Sequence, residues 1–252
     1  MFADLPAPPT LAFLLAVAAI AGYVRGYAGF GAGLLFMPTA SALIGPQLAV
    51  AAFFLTDEII ALPLIPNALR KAHWPTVLPA LLFAAIAIPL GTWTLLSVDP
   101  VPLRWADALM IFAMLALLVS GWRYHGQPHF AASAGVGFLS GFLGGLFQIS
   151  GPPVVTYWMS GPFAPPVVRA NLISFFAIAS ISTAISYWFG GVFTLRALSL
   201  TLILTPVYGF AIWLGARRFT GTSETTFRRI AYALIAISAI SSLPVLDSIL
   251  RG

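Results

Sequence analysis

No cysteine occurs among the 252 residues, and charge is scarce: 8% of the chain is Asp, Glu, Lys or Arg. The first absence excludes disulfides, thiolate metal sites and thiol catalysis. The second excludes an ordinary soluble domain, in which about 25% of residues are charged. Basic residues stand singly or in pairs, so no Lys/Arg-rich run exists to bind nucleic acid. Gly29 to Gly33 is not followed by the Lys-Ser/Thr that a phosphate-binding loop requires. His73, His125 and His129 sit in polar connections without companion ligands, so no metal and no cofactor is predicted.

What the chain has in abundance is apolar surface: 60% of residues are hydrophobic and the mean hydropathy is +0.98. Lipid is the solvent that tolerates such a composition. The fold class expected is an all-α membrane protein, a polytopic helical bundle in the cell inner membrane, with residues 1–252 forming a single transmembrane domain. The opening MFADLPAPPT lacks the positive stretch of a secretory signal, which predicts a retained first helix from Leu11. The net charge of +5 is the excess expected from the positive-inside rule.

A spanning helix needs about 20 mostly apolar residues. Eight long segments satisfy this, near 11–29, 47–66, 76–97, 104–121, 131–147, 167–189, 195–216 and 228–247. Two shorter ones, Gly31 to Ile44 and Gly144 to Ser160, contain Pro38 and Pro152-Pro153. Proline removes a helix hydrogen bond, and broken backbone at membrane depth must be buried in protein or face a watery cavity. These short stretches take matching places in two halves, 11–122 and 131–248. Phe30 to Leu35 matches Phe142 to Phe147, and Gly45-Pro46 matches Gly161-Pro162. A long helix with a central polar group follows each: Thr56-Asp57-Glu58 in one half, Asn171 in the other.

Orientation supports the repeat. If each short stretch crosses the membrane, there are ten crossings, five per half. Arg70, Lys71, Arg123, Arg169, Arg217, Arg218, Arg228 and Arg229 then share one side, opposite Arg104, Arg196 and Arg251. If the short stretches re-enter instead, eight crossings remain and the basic residues divide almost evenly. Five crossings per half is odd, so the halves would be inverted repeats, the arrangement that suits alternating access.

The order Gly29-Phe30-Gly31-Ala32-Gly33, a proline-containing short helix, a long helix, and then Ser140-Gly141-Phe142-Leu143-Gly144-Gly145 with Gly151-Pro152-Pro153 resembles the sulfite exporter TauE/SafE family. Pro89-Leu90-Gly91 fits as well. The resemblance covers nearly the whole chain, on soft motifs of small residues and prolines. It implies an inner-membrane secondary transporter, an exporter of a small anion such as sulfite, a sulfonate or an organic acid. The third helix departs from the family's small-residue and hydroxyl pattern by carrying Asp57 and Glu58, which would repel an anion if both were ionised and exposed.

The residue types themselves suggest where an anion would sit. N–H groups at a broken-helix N-terminus carry partial positive charge and can cradle an anion. The candidate substrate-binding residues are therefore Gly29, Phe30, Gly31 and Gly33 in one half and Gly144, Gly145, Gln148, Ser150 and Gly151 in the other, with Asn171 deeper in its segment. The alternative for these glycines is close helix packing through small residues. Arg25 either attracts the anion, partners Asp57 or Glu58, or snorkels to the interface. Asp57 and Glu58 are proton-coupling candidates, because a central acid costs about 2.5–3.5 kcal/mol unless it has a partner, a cavity or a proton. Their structural alternative is an ion pair with another helix. The tryptophans, Trp158 included, are expected near segment ends as an interfacial belt.

Partners expected are the lipid bilayer, a small anionic substrate and a second copy in a homodimer, with no nucleic acid. The chain is not expected to be an enzyme: adjacent acids on one helix cannot share a proton as a facing dyad does, and no Ser/His pair is present. The competing function is an anion channel or a membrane-embedded assembly subunit.

Overall fold

The computed structural model describes residues 5–28, 30–121, 126, 128–218 and 224–247. Gly29, Trp122, Arg123, His125 and Arg251, and the side chains of Arg218 and Arg228, lie outside what it describes. In chain order the helices are α1 (Pro8–Ala28), α2 (Ala32–Ile44), α3 (Pro46–Ala61), α4 (Ile65–Lys71), α5 (Trp74–Ser97), α6 (Pro100–Ser120), α7 (Phe130–Phe147), α8 (Gly151–Ser160), α9 (Pro165–Phe189), α10 (Leu195–Arg218) and α11 (Glu224–Ser242).

Among the described residues, six helices are long and apolar enough to cross a membrane: α1, α5, α6, α7, α9 and α10. Counting α3 and α4 as one broken span makes seven. The eight long segments expected from sequence are corrected at two places, both with prolines. The segment 47–66 breaks at a 3-10 turn, Leu62–Leu64, where Pro63 cannot extend the helical ladder. The last segment stops at Ser242 because Leu243 precedes Pro244 and takes an extended backbone, φ −59° and ψ 129°. Among the residues described, α11 supplies the shorter apolar stretch Arg229–Ser242.

The chain divides into two compact units that do not coincide with its sequence halves. The first contains Met1–Asp57, Val98–Val119 and Val192–Gly252; the second contains Glu58–Ser97 and Ser120–Gly191. In the first, α1 packs along α10, and α2 packs on α1 and α11. In the second, α7 packs along α5, and α9 packs on α4 and α5.

Small residues set both main helix pairs. In the second unit Gly137, Gly141 and Gly145 recur every fourth residue on α7, and a Cβ at each would strike the α5 backbone at Ala80, Ala84 and Ile88. Gly91 of α5 meets the Phe142 carbonyl in return. In the first unit Gly22 and Gly26 of α1 face the backbone of Tyr208 and Ile212 on α10, and Gly215 of α10 faces Tyr23. Lipid tails are as apolar as Leu, so such close backbone approach and its dispersion contacts drive association where water cannot.

Pro38 lies inside α2 without ending it. The Leu35 carbonyl, three residues earlier, accepts a 2.7 Å bond from Ser238 of α11, whose hydroxyl also lies 2.8 Å from Thr39. A neighbouring helix thus supplies hydrogen bonding beside the proline, as a membrane interior requires.

Candidate functional site

In the first unit, α1 and α2 are separate helices, with Phe30 and Gly31 between them. Gly31 caps α2 with φ +94°, a left-handed conformation that costs a Cβ-bearing residue but not glycine. A Cβ placed there would meet nothing within 4 Å, so the space beside it is open. The first turn of α2, Ala32 to Leu35, contains no proline and keeps its full set of N–H groups. Gly33 is buried within that turn, and Phe30 is half-buried at its mouth.

Arg25, one turn before the break, does not reach for the interface. Its Nη1 lies 2.6 Å from Asp57 Oδ2, and the Tyr208 hydroxyl donates to Asp57 Oδ1 at 2.5 Å. The pair is mostly buried, with side-chain exposures of 27% and 14%. Of the roles open to Arg25, the ion pair is the one the geometry adopts. A carboxylate so paired does not present a bare negative charge to an anion. Glu58, the next residue, is half-buried and points about 100° away from Asp57.

In the second unit α7 ends at Phe147, so Gly144 and Gly145 lie inside a helix and not at the start of the short one. Gly145 is where α7 touches Ile88 of α5, and Gly144 lies against Ser150. The break itself is Gln148 to Ser150. Gln148 takes φ +57°, which no other non-glycine residue among those described does. Its side chain holds it there: Nε2 donates to the Gly144 carbonyl at 2.9 Å and to the Tyr187 hydroxyl at 3.0 Å. Tyr187 donates onward to the Gly145 carbonyl at 3.0 Å. Both amide hydrogens of Gln148 are therefore spent on the break and not on a ligand.

The α8 N-terminus is also poorer in donors than its counterpart. Ser150 precedes it without a side-chain capping bond, Gly151 opens it with unoccupied space around its Cα, and Pro152 and Pro153 have no N–H. The two breaks are alike in position and unequal as anion seats.

Asn171 is fully buried on α9 and accepts the His73 backbone N–H at 2.6 Å through Oδ1. That donor fixes the amide orientation, leaving Nδ2 inside the protein with no hydrogen-bond partner among the described residues. Ser174, one turn further along α9, is likewise buried and unpartnered. Buried polar groups are nearly always satisfied, so such atoms ask for an occupant. A cleft of about 440 Å³ elsewhere in this unit is lined by Phe83, Phe130, Phe138, Ala131, Ala134 and Gly135. It contains none of the expected site residues, and its walls are wrong for an anion.

Three residues depart from their sequence reading or escape it. Trp158 is not interfacial: it is fully buried in α8, donating to Thr76 at 3.2 Å and packed edge-on against Phe175 at 5.7 Å. Arg104, assigned in sequence only to one side of the membrane, is buried and forms two 2.7 Å bonds to Asp247 and a 2.8 Å bond to the Ser242 carbonyl. Asp107 passes unnoticed in sequence, yet it lies buried in α6 with neither carboxylate oxygen hydrogen-bonded among the described residues. The signal for it was available, a lone acid inside the apolar run 104–121.

Residues 14–242 match the family described as Sulfite exporter TauE/SafE. A curated relative from Cupriavidus necator, described as a probable sulfite/organosulfonate exporter TauE, is 29% identical over 252 aligned residues, covering 93% of this chain and 96% of its own. No solved structure matches. With nearly its whole length matched, this chain belongs to the sulfite exporter TauE/SafE family of membrane anion transporters.

Proposed function

We propose that the protein is a secondary transporter, working as an exporter in the cell inner membrane, for a small anion such as sulfite, a sulfonate or an organic acid. The observation that carries this reading is the start of α2: open space beside a left-handed Gly31, a complete turn of N–H donors, and a nearby arginine whose charge Asp57 already balances. Partial positive charge of this kind holds an anion without a buried full charge that would trap it. In the other unit, Ser150, Gly151 and the unspent Nδ2 of Asn171 supply further donors, while Gln148 positions the break.

Alternating access of two inverted repeats is the mechanism proposed. It is supported by packing that recurs in the two units. The first helix of one sequence half lies along the third long helix of the other half, α1 on α10 and α7 on α5, through glycines in both cases. The chain breaks in the same register, after Ala28 and Phe147, and resumes at Ala32 and Gly151. The name of the C. necator relative supports sulfite or an organosulfonate as the first substrates to try. An anion channel would use the same breaks but would not saturate at low turnover.

The test is uptake of labelled sulfite, sulfoacetate and a simple carboxylate into proteoliposomes. Saturable flux of at least one, competed by the others, supports the reading. Non-saturating conductance would replace the transporter with a channel, and absence of flux for every anion would remove the proposal.

A further inference from the structure

Two acids in the first unit have opposite surroundings. Asp57 has an arginine and a tyrosine hydroxyl on its two oxygens. Asp107, eighth residue of the spanning helix α6, is 1% exposed, and neither oxygen has a hydrogen-bond partner among the described residues. An ionised carboxylate without partners in an apolar interior is costly enough that the group keeps a proton instead.

The surrounding charges do not rescue ionisation. Arg104 lies one turn earlier on α6, but its two terminal nitrogens are committed to Asp247 and the Ser242 carbonyl, so Asp247 already neutralises it. Helix α2 contributes no ionisable side chain, only the Ser41 hydroxyl, which neighbours Asp107 outside hydrogen-bond geometry. The stretch of α11 from Ile235 to Ser242, whose end Arg104 touches, has none either. One donor without a hydrogen-bond partner among the described residues nevertheless neighbours Asp107, the Ser41 hydroxyl. A small shift of α2 would give a carboxylate a donor that it lacks here.

We propose that Asp107 is a proton-binding site, protonated in this conformation and deprotonated in another during the transport cycle. The proton forms an O–H bond on one carboxylate oxygen and leaves to water when the site opens; no other reactant is needed. Occupation of the site follows from the geometry alone, whereas its place in a cycle rests on the transporter reading above. Asp57 is then a fixed ion-pair partner and not the carrier.

Infrared spectroscopy of the purified protein in lipid nanodiscs tests occupation without any substrate. A protonated-carboxyl C=O band is expected near neutral pH. It should disappear in Asp107→Asn, whose amide has the shape of the neutral acid, and persist in Asp57→Asn. Ser41→Ala should shift the band, which keeps the test available if Asp107→Asn does not fold. A wild-type spectrum without the band, or a band unchanged by both Asp107→Asn and Ser41→Ala, would overturn the assignment. Proteoliposome flux tests the second half. Dependence of flux on a proton gradient should be lost in Asp107→Asn and kept in Glu58→Gln; retention in Asp107→Asn would overturn coupling. Failure of wild-type flux would instead count against the transporter reading, leaving the infrared result to stand by itself.

Discussion

Arg25 and Asp57 form an ion pair at 2.6 Å inside the first unit, joining the end of α1 to the end of α3. Tyr208 of α10 closes the second carboxylate oxygen. Removing one member of a largely buried pair strands the other's charge, which costs about 3–5 kcal/mol, whereas removing both costs far less. Arg25→Met and Asp57→Leu should each lower the unfolding midpoint strongly, and the double variant should recover most of the loss. A thermal-unfolding cycle measures this. Additive losses would contradict a direct pair.

Gly145 and Gly151 belong to the same expected anion cradle but have different surroundings. A methyl at Gly145 would collide with the Ile88 carbonyl, while one at Gly151 meets nothing within 4 Å. Gly145→Ala should therefore separate α7 from α5 and lower thermal stability. Gly151→Ala should leave stability within about 0.5 kcal/mol, as substitutions without a strained contact do. Any loss of anion binding in Gly151→Ala would then report on the ligand and not on the fold.

Trp158 is the largest fully buried side chain described. Trp158→Ala should destabilise by about 3–5 kcal/mol through lost contacts and a residual cavity. Trp158→Phe should cost less, since only the Thr76 hydrogen bond and part of the ring are lost. Unfolding midpoints of the two variants give the comparison.

The bundle was legible because its signal is composition, which does not depend on tertiary detail. Between α1 and α2, Gly31 with its positive φ is a local mark that the sequence also offers. What stayed hidden depends on which helices meet. Gly145 has the same letter in a cradle and in a packing seam, and only the position of α5 decides between them. Gln148 offers two donors in sequence, but the Gly144 carbonyl and Tyr187, 39 residues away, take both. The partner of Arg104, Asp247, lies 143 residues on and has no local signal that would pair them. The ends of α3 and α11 were missed for a simpler reason: hydropathy continues through Pro63 and up to Pro244, whereas the backbone cannot.

Asn171→Ala should weaken anion binding and also release the His73 backbone N–H it now accepts. Asn171→Asp preserves that acceptor and replaces the free amide by negative charge. If Nδ2 faces the anion, the aspartate variant should remain folded and bind anions worse than the alanine variant. Equal binding by the two would mean that the Asn171 amide never meets the ligand.

The central claim is that the protein binds a small anion at donors its own breaks supply. Thermal unfolding of the purified protein with sulfite, sulfoacetate, sulfate, taurine and simple carboxylates tests it most directly, because a ligand of the native state raises stability as its concentration exceeds Kd. A concentration-dependent rise is expected for one or more sulfur-containing or carboxylate anions, diminished in Gly151→Ala and Asn171→Asp. No shift with any anion, or an equal shift in both variants, would contradict it.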